Sequence, residues 1–408
     1  MVRLGFLLFF VAVCQAGSLE WPQFGGPHGN FTSSATGLAS SWPATGPKVL
    51  WSRRLGDGYS AISIDGKTLF TMYRDLNDEI VLAADAVTGK TIWEYRYPAR
   101  FRPGMGMENG SGPHATPLVT ESGVYAIGIL GNLVCLSKKD GKLLWSHNLY
   151  SEFNGTPQDR GYAPSPVAYK GLVIMKVGGE GHSFVAFDQK TGAVVWRTVQ
   201  KYENSPGTPV LINVDGQDQL VAMMSNEVVG IDPSNARVLW TFPHSTSWGL
   251  NISMPVWGDD HLLFISSAYN GGSAVIRLTR QGDRTTPAEV WSSNRIRVHF
   301  STIVRVGDYI YGSSGDFGPA PLTAVDVKTG KIAWQDRTFP KASFVYADGK
   351  FVVVDEDGNL ALADFTPQGL KVLSRAALLH SNAWTAPTIV GTTLYVRDRK
   401  SMMAIDLK

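Results

Sequence analysis

One short unit recurs along this 408-residue chain and constrains its fold more than any other feature. The unit holds an Asp, a Gly four residues later, and a Trp four residues after the Gly. Its three clearest copies end at Trp93, Trp196 and Trp334. Each copy reads as a strand, a tight turn in which glycine supplies a positive φ, and a second strand that ends at the Trp. The repeated unit is therefore predicted to be a β-hairpin.

Weaker copies fill the intervals and bring the number of repeats to eight. The repeats end at Trp51, Trp93, Trp145, Trp196, Trp240, Trp291, Trp334 and Leu373. The 322 residues between Trp51 and Leu373 hold seven steps, a mean of 46 residues each. Four-stranded blades of β-propellers repeat every 40 to 50 residues or so. This period predicts a propeller.

The two ends of the array are complementary fragments of one repeat. Trp51 has no preceding turn with an Asp, and Asp406 has no following Trp. A solenoid would need a capping repeat at each end, whereas two half-repeats can join and close a ring. The sequence therefore predicts an all-β fold over residues 49–408. This fold is an eight-bladed β-propeller of four-stranded antiparallel blades, with the N-terminal strand completing the last blade.

The repeated residues have predicted structural roles. Each Asp is expected to accept backbone N–H groups in its turn, as Asp commonly does. Each Trp is expected to lie flat between adjacent blades and hold them together. The predicted turn residues are Asp85, Asp188, Asp232, Asp326 and Asp406.

The N-terminal 48 residues precede the repeats. Residues 1–16 resemble a secretory signal, because Arg3 is followed by an apolar run and then by Cys14, Gln15 and Ala16. The ten-residue apolar run is too short to span a bilayer. Lipidation of Cys14 is a further hypothesis, but a small residue normally precedes a lipidated cysteine and Val13 is not small. We therefore expect export with plain cleavage, followed by a lead segment over residues 17–48.

Charge, cysteine and metal-ligand patterns exclude several functional classes. The formal net charge is only +2, with no long basic run, which argues against nucleic acid as a partner. After cleavage Cys135 is the one remaining cysteine, and its place in an apolar strand predicts a buried thiol. The acidic run at 355–357 falls where a hairpin turn is due and lacks calcium-loop spacing. The eight histidines show no paired metal-ligand spacing, so no metal site is predicted.

One end of the predicted ring carries a concentration of aromatic and polar residues. The two longest links between repeats contain Arg102 and Arg160, and long loops in a compact fold are often functional. Other such residues enter the inner strands at the same end. The candidates for a pocket at the channel mouth are Tyr59, Arg102, His114, Arg160, Tyr162, Trp248, Asn251, His299 and Trp384. They could bind a ring-shaped or anionic ligand, or they could plug the channel and pack its rim; both alternatives stay open.

The pattern Ala-x-Asp-x-x-Thr-Gly-x-x-x-Trp occurs at Ala186 to Trp196 and at Ala324 to Trp334. It resembles the tryptophan-docking repeat of the pyrroloquinoline quinone (PQQ) propeller superfamily, and the resemblance covers about residues 49–408. That superfamily includes quinoprotein dehydrogenases and non-catalytic relatives such as the outer-membrane β-barrel assembly scaffold lipoprotein. Its alcohol dehydrogenases carry an adjacent Cys-Cys disulfide and insertions for PQQ and Ca²⁺, none of which can be matched here.

The resemblance implies two functional hypotheses. The first is an exported, non-catalytic, monomeric propeller that binds a protein or a small molecule at its channel face, as a scaffold in the cell envelope without a cofactor. The alternative is a small PQQ-dependent alcohol or sugar dehydrogenase. In that case His299 would serve as the base, and an arginine would stabilise the reduced quinone.

Overall fold

The computed structural model describes residues 20–102, 104–179, 182–318, 320–380 and 382–408. The predicted signal over residues 1–16, with Cys14, lies outside the described residues. Two strands come before the first complete blade: β1 Thr32–Ser33 and β2 Lys48–Arg54.

The first four blades follow in chain order. Blade 1 holds β3 Ser63–Asp65, β4 Thr68–Asp75, β5 Asp78–Asp85 and β6 Thr91–Pro98. Blade 2 holds β7 Leu118–Thr120, β8 Gly123–Ile127, β9 Asn132–Leu136 and β10 Leu143–Asn148, and helix α1 Leu149–Phe153 follows it. Blade 3 holds β11 Val167–Tyr169, β12 Leu172–Lys176, β13 Phe184–Asp188 and β14 Val194–Arg197. Blade 4 holds β15 Val210–Val214, β16 Gln217–Met223, β17 Glu227–Ile231 and β18 Val238–Pro243.

The remaining strands complete the ring. Blade 5 holds β19 Val256–Trp257, β20 Leu262–Ser267, β21 Gly272–Gln281 and β22 Arg284–Ser293. Blade 6 holds β23 Val298–Val306, β24 Tyr309–Ser314, β25 Leu322–Asp326 and β26 Ile332–Asp336. Blade 7 holds β27 Ala342–Ala347, β28 Lys350–Asp355, β29 Asn359–Thr366 and β30 Gly369–Ala377. Blade 8 holds β31 Thr388–Val390, β32 Thr393–Arg397 and β33 Ser401–Asp406 together with β2.

This topology confirms the all-β, eight-bladed propeller. The ring closes through β2, which pairs antiparallel with β33 so that Lys48 faces Asp406 and Trp51 faces Ala404. The hydrophobic core lies mainly between neighbouring blades, because each blade buries both of its faces. Phe70 and Trp93 of blade 1, for example, share a cluster with Val124 and Val134 of blade 2. Cys135 is buried and free, and the described residues contain no helix that is long and apolar enough to cross a membrane.

The Asp at the turn of a complete hairpin organises that turn, whereas Asp406 ends β33 and accepts the N–H of Lys408. Asp85 Oδ1 accepts the backbone N–H groups of Val87 at 3.1 Å and Thr88 at 2.7 Å, and also the Thr88 hydroxyl. The hydrogen bonds from Thr88 lower the pKa of Asp85. Asp188 is bonded in the same way by Lys190 and Thr191. The side chain therefore supplies acceptors for N–H groups that the backbone of this four-residue turn leaves unpaired.

The Trp of one blade docks on the turn of the next. Trp93 Nε1 donates to Lys138 O at 2.9 Å, and Trp145 Nε1 donates to Gln189 O at 3.0 Å. The turn glycine lies against the same ring, so that a Cβ built on Gly141 would be 2.6 Å from Trp93. Two features therefore require glycine at this position of the repeat: the positive φ and the close approach to the Trp ring.

Blade 5 departs from the pattern because its outer hairpin, β21–β22, is long and contains no Asp turn. Trp240 of blade 4 therefore bonds within its own blade, to Gln219 Oε1 at 2.7 Å. The fully buried Gln219 then donates to Thr285 Oγ1 of blade 5 at 2.8 Å. A side-chain amide thus replaces the missing carbonyl and keeps the two blades joined.

The lead segment crosses the end of the ring that carries the Asp turns, called here the turn face. Trp21 pairs with Ile64 of blade 1, and Pro22 O accepts the N–H of Val119 of blade 2. β1 then pairs in parallel with the inner strand β27 of blade 7 and becomes its fifth strand. The opposite end of the ring, where outer strands pass to the next inner strand, is called the loop face.

Candidate functional site

An arc of aromatic rings surrounds the channel mouth on the loop face. Tyr59 stacks on His114 with ring centroids 6.0 Å apart and on Trp384 at 5.4 Å. The arc continues through Phe300, which lies 5.0 Å from Trp384 and 4.8 Å from His299. Four of the nine candidates, Tyr59, His114, His299 and Trp384, are therefore brought together. They meet because each lies just before, or at the start of, an inner strand.

The arc extends over two residues that the sequence interpretation missed. Tyr269 contacts His299 edge-on at 4.8 Å, and Phe317 lies 5.5 Å from Tyr269. Both lie in loops that join the second and third strands of a blade, which reach the same face as the candidate links. Phe317 is 80% exposed, so the arc begins in the channel mouth and ends on the surface.

Arg397 hydrogen-bonds to the backbone on both sides of Tyr59. Its side chain is fully buried and donates to Gly58 O at 2.8 Å and to Ser60 O at 3.1 Å. It also donates to Met72 O at 2.8 Å. The two carbonyls that flank Tyr59 are thus fixed by one guanidinium, which makes the position of the tyrosine ring rigid.

Two candidate arginines join the long loops to each other. Arg102 donates to Gln158 O at 3.1 Å and lies over the ring of Tyr150. Arg160 pairs with Glu108 and, through its backbone carbonyl, contacts His114 Nε2 at 3.0 Å. Each of the two loops thus binds the arginine of the other loop. Arg102 and Arg160 therefore connect the two loops at the rim of the mouth, and neither side chain is a free cation there.

Tyr162 and Asn251 do not line the mouth. Both are fully buried. The Tyr162 hydroxyl donates to Lys176 O at 2.7 Å. Asn251 Nδ2 donates to Met224 O at 2.5 Å, and its Oδ1 accepts from the Ser267 hydroxyl. Their polar atoms are satisfied inside the blades, so these two candidates are structural.

His244 belongs to the same buried network as Asn251 and gives it a pH dependence. Its Nε2 lies 3.0 Å from Ser267 Oγ, and burial lowers the pKa of His244 from 6.5 to about 4. A histidine with a depressed pKa in the folded state contributes stability that is lost as pH falls from about 6.5 towards about 4, because only the unfolded chain takes up the proton there. The loss is roughly 3 kcal/mol at most.

We therefore expect His244→Gln, which keeps a donor for Ser267, to flatten the fall in stability between pH 6.5 and pH 4. The free energy of unfolding in urea at several pH values measures this, with His28→Gln, a change at an exposed histidine, as the control. Identical pH profiles for wild type and His244→Gln would show that His244 does not control acid stability.

Two more side chains complete the description of the mouth. Trp248 stands 71% exposed on the loop between blades 4 and 5. Its neighbour Ser247 donates its N–H to Tyr269 O at 2.8 Å, which places Trp248 beside the end of the arc. Lys341 is buried with its ammonium 4.4 Å above the ring of Phe300. This cation–π contact was not predicted, because nothing marks Lys341 in the sequence.

A cavity of about 930 Å³ opens on the other end of the channel, the turn face. Its walls are the inner strands β11, β15 and β19 and residues 22–30 of the lead segment. The lining mixes apolar residues with polar ones, namely Phe24, Val167, Leu211 and Trp257 with His28, Asn30 and Asp215. The sequence interpretation placed no pocket here, because the path of the lead segment across the ring carries no periodic signal.

Among the described residues, no group of three or more His, Cys, Asp or Glu side chains is arranged to hold a metal ion. Asp355 of the acidic run is fully buried and accepts from Asn359 at 2.8 Å and from Arg375 at 3.0 Å. This run therefore lies at a hairpin turn, as its position in the repeat predicted.

The repeat, the ring and the Trp docking define the class of protein: an eight-bladed propeller of PQQ-like repeats. Residues 77–336 match the model of the family described as outer membrane protein assembly factor BamB, and the chain belongs to this family.

Similar proteins of two kinds are found. The assembly factor BamB of Yersinia pestis is 23% identical over 310 residues, which cover 71% of this chain and 73% of that protein. The dehydrogenase subunit of a quinone alcohol dehydrogenase from Gluconacetobacter polyoxogenes is 33% identical over 165 residues, or 37% of this chain. The chain spans about a fifth (21%) of the length of that subunit.

Solved structures repeat the same division. BamB from Moraxella catarrhalis superposes with a TM-score of 0.64 at 16% identity, covering 88% of this chain and 99% of that one. The quinohemoprotein alcohol dehydrogenase from Comamonas testosteroni superposes with a TM-score of 0.68 at 13% identity, covering 95% and 80%. At these identities the superpositions show the shared fold alone.

Proposed function

We propose that this chain is an exported binding scaffold of the cell envelope that holds a protein partner on its loop face. The observation that carries the proposal is the surface cluster of Phe317, Tyr269 and Trp248 beside a mouth lined by the chain's own rings. Phe317 and Trp248 are 80% and 71% exposed. Aromatic side chains that stand out of a rigid surface are typical anchors of protein interfaces. The BamB relative, named an assembly factor, also aligns along most of both chains.

The rim has the rigidity that such an interface needs. Arg397 fixes the backbone at Tyr59, and the pairs Arg102–Gln158 and Arg160–Glu108 lock the two long loops together. A surface that is ordered before binding loses less conformational entropy on association. The part of the loop face that these segments form is therefore ordered before a partner binds.

A small PQQ-dependent dehydrogenase is the second candidate, favoured by the 33% local identity to the quinone alcohol dehydrogenase subunit. The side chains at the mouth do not fit a planar quinone as they stand. Tyr59 already stacks on both His114 and Trp384, at 6.0 and 5.4 Å, which leaves no gap for a further ring between Tyr59 and either neighbour.

The candidate base for that chemistry is also poorly suited to its role. Burial and the charge of Lys341 lower the pKa of His299 to about 3. A general base works best with a pKa near the working pH, so an imidazole this weakly basic is a poor proton acceptor at neutral pH. This observation supports binding over catalysis at the mouth.

Capture of a partner from envelope extract tests the proposal. We expect wild-type protein to retain a specific partner and the double variant Phe317→Ser, Trp248→Ser to lose it. All variants should keep the wild-type melting temperature, because exposed residues contribute little to stability. Val87→Ser is the matched control, since Val87 is 66% exposed on the opposite face. Equal capture by the double variant would contradict the proposed surface.

A further inference from the structure

The lead segment shows how the turn face holds an extended chain. Ile64 N, Val119 N and Tyr346 N each donate to a lead-segment carbonyl, those of Trp21, Pro22 and Phe31, at 2.8 to 3.0 Å. The three donors belong to the inner strands of blades 1, 2 and 7. They occupy one equivalent position, since each lies one residue before the end of the strand pairing and faces Leu69, Val124 or Phe351. An inner strand has a free edge towards the channel, and the lead segment uses three of these edges.

The free edge continues in blades 3, 4 and 5. Ala168 has the same position in blade 3, where it faces Val173, and Trp257 ends the strand pairing of blade 5 opposite Leu263. In blade 4, Leu211 faces Leu220 two residues before that position and has the same alternation along its strand. In an antiparallel hairpin every second residue points its N–H away from its partner strand, so these three N–H groups face the channel. Within the described part of the chain, none of the three has a hydrogen-bond acceptor beyond its own sheet.

These three edges form the wall of the turn-face cavity. Ala168, Leu211 and Trp257 all line its 930 Å³ or so, which is within the usual range of about 300–1,000 Å³ for ligand pockets. Phe24 and Pro22 of the lead segment form the facing wall. The cavity therefore combines a row of unpaired backbone donors with apolar side chains such as Phe24 and Leu211.

We propose that the inner edges of blades 3 to 5 bind a second extended polypeptide segment, which continues the backbone pairing of the lead segment and places a large apolar side chain in the cavity. Strand addition of this kind obtains affinity from main-chain hydrogen bonds and specificity from side-chain pockets. The site lies on the opposite face of the ring from the Phe317 cluster and is independent of the partner proposed there. Ala168 supplies its first donor and Leu211 its second.

A defined peptide tests the site. The probe is a fluorescein-labelled peptide with the sequence of residues 20–34, because that sequence already pairs with equivalent edges in blades 1, 2 and 7. Fluorescence anisotropy with the full chain should give saturable binding, and a scrambled peptide should give none. Ala168→Pro removes one outward N–H without removing a ladder hydrogen bond, as proline does on a free edge. We expect about tenfold weaker binding, equivalent to one lost hydrogen bond.

Matched variants keep the result decisive. Ala168→Val retains the N–H and changes only the side chain, so its affinity separates the loss of the donor from the effect of a larger residue at this position. Leu211→Pro should also bind about tenfold more weakly, and Leu211→Ala controls for its lost side chain. Leu211→Pro serves as the second proline variant if Ala168→Pro fails to fold. Absence of saturable binding to the wild type would overturn the proposal. Wild-type binding by folded proline variants would do so too, because the peptide would then occupy other edges, such as those the lead segment covers.

Discussion

Trp196→Ala is expected to lower the free energy of unfolding by about 3–5 kcal/mol, as large-to-small core substitutions do. Trp196 is buried between blades 3 and 4, and its Nε1 donates to Pro233 O at 3.1 Å. Its removal leaves a cavity between the blades and an unpaired carbonyl. Equilibrium unfolding in urea measures the loss.

The same variant should not change the affinity for a partner bound on the loop face, because Trp196 lies outside the mouth and its exposed cluster. Trp248→Ala is the matched control with the opposite expectation, full stability and weakened partner binding. If Trp196→Ala weakened binding while leaving stability intact, the docking role of the repeated tryptophans would be wrong.

Gly192→Ala is expected to cost about 2–5 kcal/mol, the sum of backbone strain and overpacking. Gly192 has a φ of +74°, and a Cβ there would lie 2.7 Å from the ring of Trp145. Gly171→Ala is the matched control, because Gly171 has a φ of +82° in the same blade but no atom within 4 Å of the added Cβ. The control should show only the strain of about 1–2 kcal/mol.

A double-mutant cycle separates the two causes. In a Trp145→Ala background the ring contacts at 2.7 Å are gone and only the Cβ contact at 3.1 Å remains, so Gly192→Ala should cost little more than Gly171→Ala does. The coupling free energy between the two positions should then be about 1–3 kcal/mol. If the two losses of unfolding free energy were additive, glycine would be required at position 192 for its φ alone and not for its contact with Trp145.

The sequence predicted the ring well because its signal is local and periodic. An Asp turn followed by a Trp eight residues after the Asp predicts one hairpin. The recurrence of this pattern in eight repeats predicts the closed ring. The docking of Trp240 on Gln219 could not be predicted, since blade 5 does not offer the backbone carbonyl that accepts the tryptophan N–H in blades 1 to 4, 6 and 7. The path of the lead segment was equally unpredictable, because it follows free strand edges and no repeat marks them.

The candidate site was predicted in part, for a reason of geometry. Tyr59, His114, His299 and Trp384 share a position before an inner strand, and this position brings their rings together. Tyr162 and Asn251 share it too, but their side chains point into the blades, and the direction of a single side chain is not encoded in the repeat. Phe317 and Tyr269 were missed because they lie in loops with no periodic feature.

The central proposal is that the loop face of this propeller serves a protein partner and that its mouth does not bind a quinone. Titration of the purified protein with PQQ and Ca²⁺ tests it most directly, followed by absorption spectroscopy and dye reduction with alcohols and sugars. We predict no saturable quinone absorption and no turnover. A stoichiometric bound quinone that reduces the dye in the presence of an alcohol, and that is lost in the variant His299→Ala, Trp384→Ala, would contradict the claim.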